Sequence, residues 1–139
     1  MGLRLRVDGE RVVGRVTFDR RQEGAPGYAH GGAIATVLDD ALGSVLMVLG
    51  RAAVTAKLEV DFRAPALIGQ EFELEAWCER EEVRKLYLKG LLQAEGVLVA
   101  EATALFVAVG LEHFRRSGSP LPSSWAEWAD PEDAAVPEA

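Results

Sequence analysis

Apolar and polar residues alternate along most of this chain, and the alternation is interrupted by one long segment of a different period. Leu3-Arg4-Leu5-Arg6-Val7 alternates apolar with charged, Asp8-Gly9 is a favoured two-residue turn, and Arg11 to Phe18 is a second β-rich run. Together they predict a hairpin. Residues 20–29 are rich in Gly, Pro and polar residues and predict a loop. From Gly31 or Gly32 the period changes. Ile34, Val37, Leu38, Ala41, Leu42, Val45, Leu46 and Leu49 recur at three- and four-residue spacing, which predicts a helix with a wide apolar face that Gly50 ends.

Alternation then returns. Val54 to Phe62 alternates through Leu58, Val60 and Phe62, and Glu71 to Glu79 through Phe72, Leu74, Ala76 and Cys78. Val83 to Ala94 alternates through Leu86, Leu88 and Leu91, and Val97 to Val109 is an almost continuous apolar strand. Gly69, Glu81-Glu82 and Glu95-Gly96 mark the turns. A helix that is apolar on nearly every side, followed by a four-strand meander, predicts an α+β domain whose sheet wraps around that helix. The domain runs over residues 1–111. Residues 112–139 read as an acidic tail: a linker-like Ser117 to Pro122, then Trp125 and Trp128 on one short turn that Ser124 and Glu127 cap and Pro131 ends. Such tryptophans either fray with the tail or dock on the body or on a partner subunit.

Composition narrows the function classes. A chain of 139 residues with 49% hydrophobic and 27% charged residues is one globular domain. Its net charge of −7 argues against nucleic acid and anionic membranes as partners. Six acids and two bases of residues 112–139 supply more than half of that excess, so the body is nearly balanced and an anionic small substrate remains compatible with it. The most apolar stretch, Ala33 to Leu49, carries Asp39 and Asp40 in its middle, which favours a core helix over a membrane span. The start of the chain has no apolar run of signal-peptide length. The single Cys78 rules out a disulfide framework within the chain and fits a reducing, cytoplasmic setting. No metal-ligand spacing, phosphate-binding glycine loop or serine-hydrolase elbow is present, so neither metal nor cofactor is expected.

One segment carries chemistry. His30-Gly31-Gly32 stands at the predicted helix start, where glycines let an external group approach backbone N–H donors that have no intrahelical partner. Those donors and the positive end of the helix dipole can bind a polarised carbonyl or an oxyanion. Asp39 lies nine residues beyond His30, which is about 13 Å along the helix and about 180° around it. One carbonyl cannot touch both groups of the same helix. If both act on one substrate, the site is built from two chains, and the protein is an obligate dimer.

These residues resemble the hotdog-fold acyl-coenzyme A thioesterases, in particular the PaaI-type group within the thioesterase superfamily. The resemblance rests on Gly27, His30-Gly31-Gly32-Ala33-Ile34-Ala35-Thr36, Asp39, Gly43, Val54-Thr55-Ala56-Lys57-Leu58, Arg63-Ala64-Pro65, Arg84-Lys85 and Glu101 to Phe106. It implies hydrolysis of an acyl- or aryl-CoA thioester to free acid and CoA. In that reading Asp39 is general base or nucleophile, the Gly31 N–H polarises the thioester carbonyl, His30 shapes the loop and Thr55 orients water. Asp61, Arg63, Arg84 and Lys85 stand at the positions implied for the CoA moiety. The resemblance also implies a homodimer or a dimer of dimers with the active site at the subunit interface. Many bacterial relatives place Asn or Gln in the loop before His-Gly-Gly; this chain has no asparagine, and Gln22 is the candidate there. The alternative on the same residues is a non-catalytic acyl-CoA binder. Tyr28, Met47 and Phe62 are candidates for lining the acyl pocket.

Overall fold

The computed structural model describes residues 1–123, 125 and 128. Six strands and one long helix make up the body: β1 (Gly2–Asp8), β2 (Arg11–Thr17), α1 (Gly31–Leu49), β3 (Ala53–Phe62), β4 (Glu71–Glu82), β5 (Lys85–Ala94) and β6 (Val97–Ala108). A five-residue helix, α2 (Leu111–Arg115), follows. Every pairing is antiparallel, in the order β1-β2-β4-β5-β6-β3. One face of the sheet curves around α1, as the hydrophobic pattern predicts. Ile34, Val37, Leu38, Ala41, Leu42, Val45 and Leu46 are the buried residues of α1. They meet Val12, Val16, Phe72, Leu74, Leu86, Leu88, Leu92 and Ala100, Ala102 and Ala104 of β6 in a single core. Among the described residues, no polar or charged one is fully buried.

The order of the strands corrects the four-strand meander. β3 does not pair with β4; it lies at the far edge of the sheet against β6. α1 carries the chain across the concave face, so the strand after it emerges at the opposite edge, and residues 63–70 return the chain to β4 beside β2. As an edge strand β3 buries little. Leu58 and Val60 are half-buried and Phe62 is 54% exposed.

Smaller corrections have local causes. The β1–β2 turn is Gly9-Glu10 rather than Asp8-Gly9, with Gly9 in the left-handed region at φ 64°. β4 runs on through Glu82, and the turn into β5 is Val83-Arg84, not Glu81-Glu82. The Arg51 guanidinium anchors that turn by donating to the Val83 carbonyl at 2.8 Å and reaching Glu81 at 3.5 Å. In β5 the two-residue period from Leu86 and Leu88 lands on Gly90 and Leu92, so Leu91 is not a core residue. A Cβ at Gly90 would stand 3.3 Å from Leu42 Cδ2, so the bare backbone there lets α1 lie close to the sheet. The proposed caps of the tail turn, Ser124 and Glu127, and its stop at Pro131, lie outside the described residues.

Candidate active site

His30 and Gly31 begin α1 in a way their chemistry explains. His30 is the N-cap: its backbone is extended and its Nδ1 accepts the Gly32 N–H at 2.8 Å. That satisfies one of the orphan donors of the first turn and places the ring proton of a neutral imidazole on Nε2. The His30 N–H donates to the Gln22 carbonyl at 2.6 Å, and its own carbonyl accepts from Ala33 and Ile34. Gly24 packs against the ring, since a Cβ there would lie 3.3 Å from His30 Cδ2. The Gly31 N–H, the first of the helix, has no acceptor among the described residues and is exposed. It is a free donor at the positive end of a 19-residue helix. Gln22, the candidate in the loop before His-Gly-Gly, has its side-chain oxygen engaged locally. Its Oε1 accepts the Asp19 N–H at 3.0 Å and closes a capping box on the turn Arg20–Gln22.

Asp39 and Thr55 meet for a geometric reason. Asp39 precedes Gly50 by eleven residues of helix, about 16 Å, and Thr55 follows it by five residues of extended chain, about the same length. Gly50 closes α1 in the left-handed region at φ 64° and turns the chain back, so the two side chains stand level. Thr55 Oγ1 donates to Asp39 Oδ1 at 3.1 Å. Asp39 is half-buried and Thr55 is exposed, and both open on a groove of about 400 Å³ along the outer face of α1. Asp40 lines the same groove but is mostly exposed. Partial loss of water and the adjacent Asp39 charge push its carboxyl above the usual carboxylate range.

The remaining candidates fall into two separate places. Asp61 and Arg63 stand at the end of β3, where the Arg63 guanidinium bonds Glu101 at 2.6 Å and approaches Asp61 at 3.8 Å. The ring of Phe62 between them reaches the start of α1, 3.4 Å from where a Gly31 Cβ would stand. Arg84 and Lys85 stand at the β4–β5 turn, where Lys85 pairs with Val107 and Val107 with Val54 at the opposite end of β3. Eight residues of strand, about 26 Å, separate these two levels. Within one chain, therefore, His30-Gly31 lies with Asp61 and Arg63, and Asp39-Thr55 lies toward Arg84 and Lys85. No single chain assembles them all. Of the pocket candidates, Met47 lines the Asp39 groove, Phe62 stands beside Gly31, and Tyr28 pairs with Leu67 in the loop before the helix. Residues missed in the sequence are Trp125, Trp128 and Phe106, which also line the Asp39 groove. For Phe106, the signal was an inward position of β6 on the Thr55 level.

Comparison with known proteins gives the family. The family model described as the thioesterase superfamily matches residues 26–101, which include both the His30-Gly31 helix start and the Asp39-Thr55 pair. The acyl-coenzyme A thioesterase THEM4 of Xenopus laevis is 36% identical over 87 residues, covering 61% of this chain and 39% of its own length. This chain thus spans about two fifths of that curated relative. The crystal structure of a thioesterase superfamily protein superposes with a TM-score of 0.72 at 29% identity, covering 76% of this chain and 55% of that one. The protein smu.793 of Streptococcus mutans, solved bound to acetyl CoA, superposes with a TM-score of 0.74 at 20% identity, covering 79% and 90% of the two chains. The wrapped helix is the hotdog fold. With a family match over more than half its length, the chain belongs to the thioesterase superfamily.

Proposed function

We propose that this protein hydrolyses acyl-CoA thioesters. The observation that carries the reading is the hydrogen bond from Thr55 to Asp39 Oδ1, on a carboxylate that lines the groove and keeps its second oxygen for chemistry. A carboxylate held in this way can take a proton from water as it attacks the thioester carbonyl. The tetrahedral oxyanion then needs a donor, and a free helix-start N–H such as that of Gly31 suits it. Collapse expels the CoA thiolate and leaves the carboxylic acid. The same carboxylate oxygen is also placed to attack the carbonyl directly, giving a mixed anhydride that water opens. THEM4 is named an acyl-coenzyme A thioesterase, and the Streptococcus mutans relative was solved with acetyl CoA, which supports the substrate class.

The donor and the base come from two subunits in this reading. Asp39 and Gly31 are eight residues apart on one straight helix, about 12 Å, too far for one carbonyl. The β3 edge has no partner strand among the described residues. If two β3 edges pair antiparallel about a twofold axis near Leu58 and Glu59, the Thr55 end of one strand lies beside the Phe62 end of the other. That brings Asp39 level with Gly31 of the partner subunit. The same symmetry brings Arg84 and Lys85 toward Arg63 of the partner subunit, where guanidinium and ammonium groups suit the phosphates of CoA.

A panel of CoA esters with detection of released thiol tests the activity, and light scattering tests the assembly. The expected results are turnover of at least one ester and a mass of two or four chains. Binding of CoA esters without turnover would replace hydrolysis by a purely binding role. A fully active monomer would overturn the two-subunit site.

A further inference from the structure

The groove that holds Asp39 has a wall that does not come from the body of the fold. Asp39, Gly43 and Met47 recur every four residues and form one strip along the outer face of α1, about 12 Å long. At the Asp39 end, with Asp40 and Thr55, the lining is polar; beyond it Gly43, Leu46 and Met47 make it mostly apolar, with Ser44 the one polar side chain between them among the described lining residues. A Cβ at Gly43 would meet nothing within 4 Å, so no packing demands a glycine there, and its bare backbone leaves room in the groove. Opposite this strip stand Trp125 and Trp128. Their rings stack at 5.1 Å with an interplanar angle of 19°. Phe114 of α2 meets Trp125 edge-on at 4.9 Å and 71°. The Trp128 N–H donates to the Trp125 carbonyl at 3.0 Å, so one turn presents both indoles together. Trp128 packs against the core and closes the far end, its Cδ1 standing 3.8 Å from where a Gly50 Cβ would be. Rings held by this many aromatic contacts make a firm surface.

We propose that Trp125 and Trp128 form the outer wall and the end stop of the acyl-binding groove, so that the tail sets the longest acyl chain the enzyme accepts. This rests on the thioesterase reading above. An acyl group whose carbonyl lies at Asp39 runs along the Gly43-Met47 strip and ends against Trp128. A run of about 12 Å holds a straight chain of roughly eight to ten carbons. A groove of about 400 Å³ is near the lower end of ligand-binding clefts, which agrees with a medium-length acyl group rather than a long one.

The test compares kcat/KM for acetyl-, octanoyl- and palmitoyl-CoA in the full-length protein and in Trp125→Ala/Trp128→Ala. Acetyl-CoA turnover is the reference for each protein, because a two-carbon group is too short to span the strip. The palmitoyl-to-octanoyl ratio should rise at least tenfold, and Trp125→Phe/Trp128→Phe should restore the original ratio. A ratio that stays within twofold in the alanine variant overturns the wall. A binding readout stands apart from turnover. In a Trp77→Phe background the only tryptophans are Trp125 and Trp128. Their emission should shift to shorter wavelength with octanoyl-CoA and not with CoA alone; equal responses overturn the proposal. If the unmodified protein turns over no ester, hydrolysis has failed, and the emission result alone decides whether the groove takes the acyl group.

Discussion

Replacing Asp39 by Asn isolates the chemistry from the fold. Asn keeps the oxygen that accepts the Thr55 hydroxyl at 3.1 Å and keeps the size of the side chain. It removes a negative charge beside Asp40, a small relief where the neighbouring carboxyl is already pushed up. Asp39 is half-buried with no ion pair to break among the described residues, so stability should change by no more than about 0.5 kcal/mol. What disappears is the basic oxygen. Loss of a positioned general base lowers kcat by roughly 10²–10⁴, which is about 2.7–5.4 kcal/mol of barrier. KM should stay within a fewfold, because the substitution touches neither the helix-start donor nor Arg63, Arg84 and Lys85. Released CoA is followed with an aromatic disulfide on the best ester of the panel, alongside a thermal melt. Cys78 adds little background, since partial burial pushes its thiol above the usual range and keeps it in the unreactive protonated form. Near-full kcat in a folded Asp39→Asn protein would refute the role given to this carboxylate. A large loss in Asp40→Asn with none in Asp39→Asn would transfer it to the neighbour.

Three further outcomes follow from the same geometry. Thr55→Val removes one hydrogen bond to a charged acceptor, worth up to about 1.5–3 kcal/mol of stability, so Tm should fall and kcat should drop roughly 10- to 100-fold; kinetics and a melt on one sample check both. Asp40 has a folded pKa above its ordinary 3.8, so the native state binds its proton more tightly than the unfolded state does. Its charge therefore costs stability above that raised pKa, and the cost fades as pH falls through it. Asp40→Asn should raise Tm at pH 7 and lose the gain by about pH 3, where both states are protonated; melts across that range decide it, and a Tm lowered at pH 7 would contradict the sign. Val83 sits at φ 52°, where a β-branched residue pays about 1–2 kcal/mol. Because Arg51 bonds its backbone carbonyl, Val83→Gly keeps the anchor and should gain about 0.5–1 kcal/mol in urea unfolding.

Most of the architecture was legible because burial imposes period. The helix at Gly31–Leu49 and its Gly50 stop followed from apolar spacing and a left-handed terminator, two local signals that no tertiary contact overrides. Glu95-Gly96 was legible as a turn for the same reason, both residues having positive φ. The position of β3 was not. Its alternation of Leu58, Val60 and Phe62 looks like that of an inner strand, but pairing partners are decided by where α1 delivers the chain, and composition does not encode that. Leu91 misled because a leucine is the stronger apolar signal than a glycine. The core instead needed the space that Gly90 leaves for Leu42.

The site divides in the same way. The Asp39-Thr55 meeting could be computed beforehand, since helix and strand rise over eleven and five residues come to nearly equal lengths about Gly50. The separation of Asp39 from Gly31 followed from rise and rotation alone, and it forces a choice: either one of the two groups is idle or a second chain completes the site. The tail escaped both arguments. Its sequence leaves two readings open for Trp125 and Trp128, a frayed acidic tail or docking on the body or a partner subunit. Yet two tryptophans in four residues are a large apolar area to leave in water, and the fold gives that area a place at the Gly50 end of α1, along the groove that begins at Asp39. The aromatic pair sets where the tail meets the body, and that location is the far end of the groove, where acyl length would be measured.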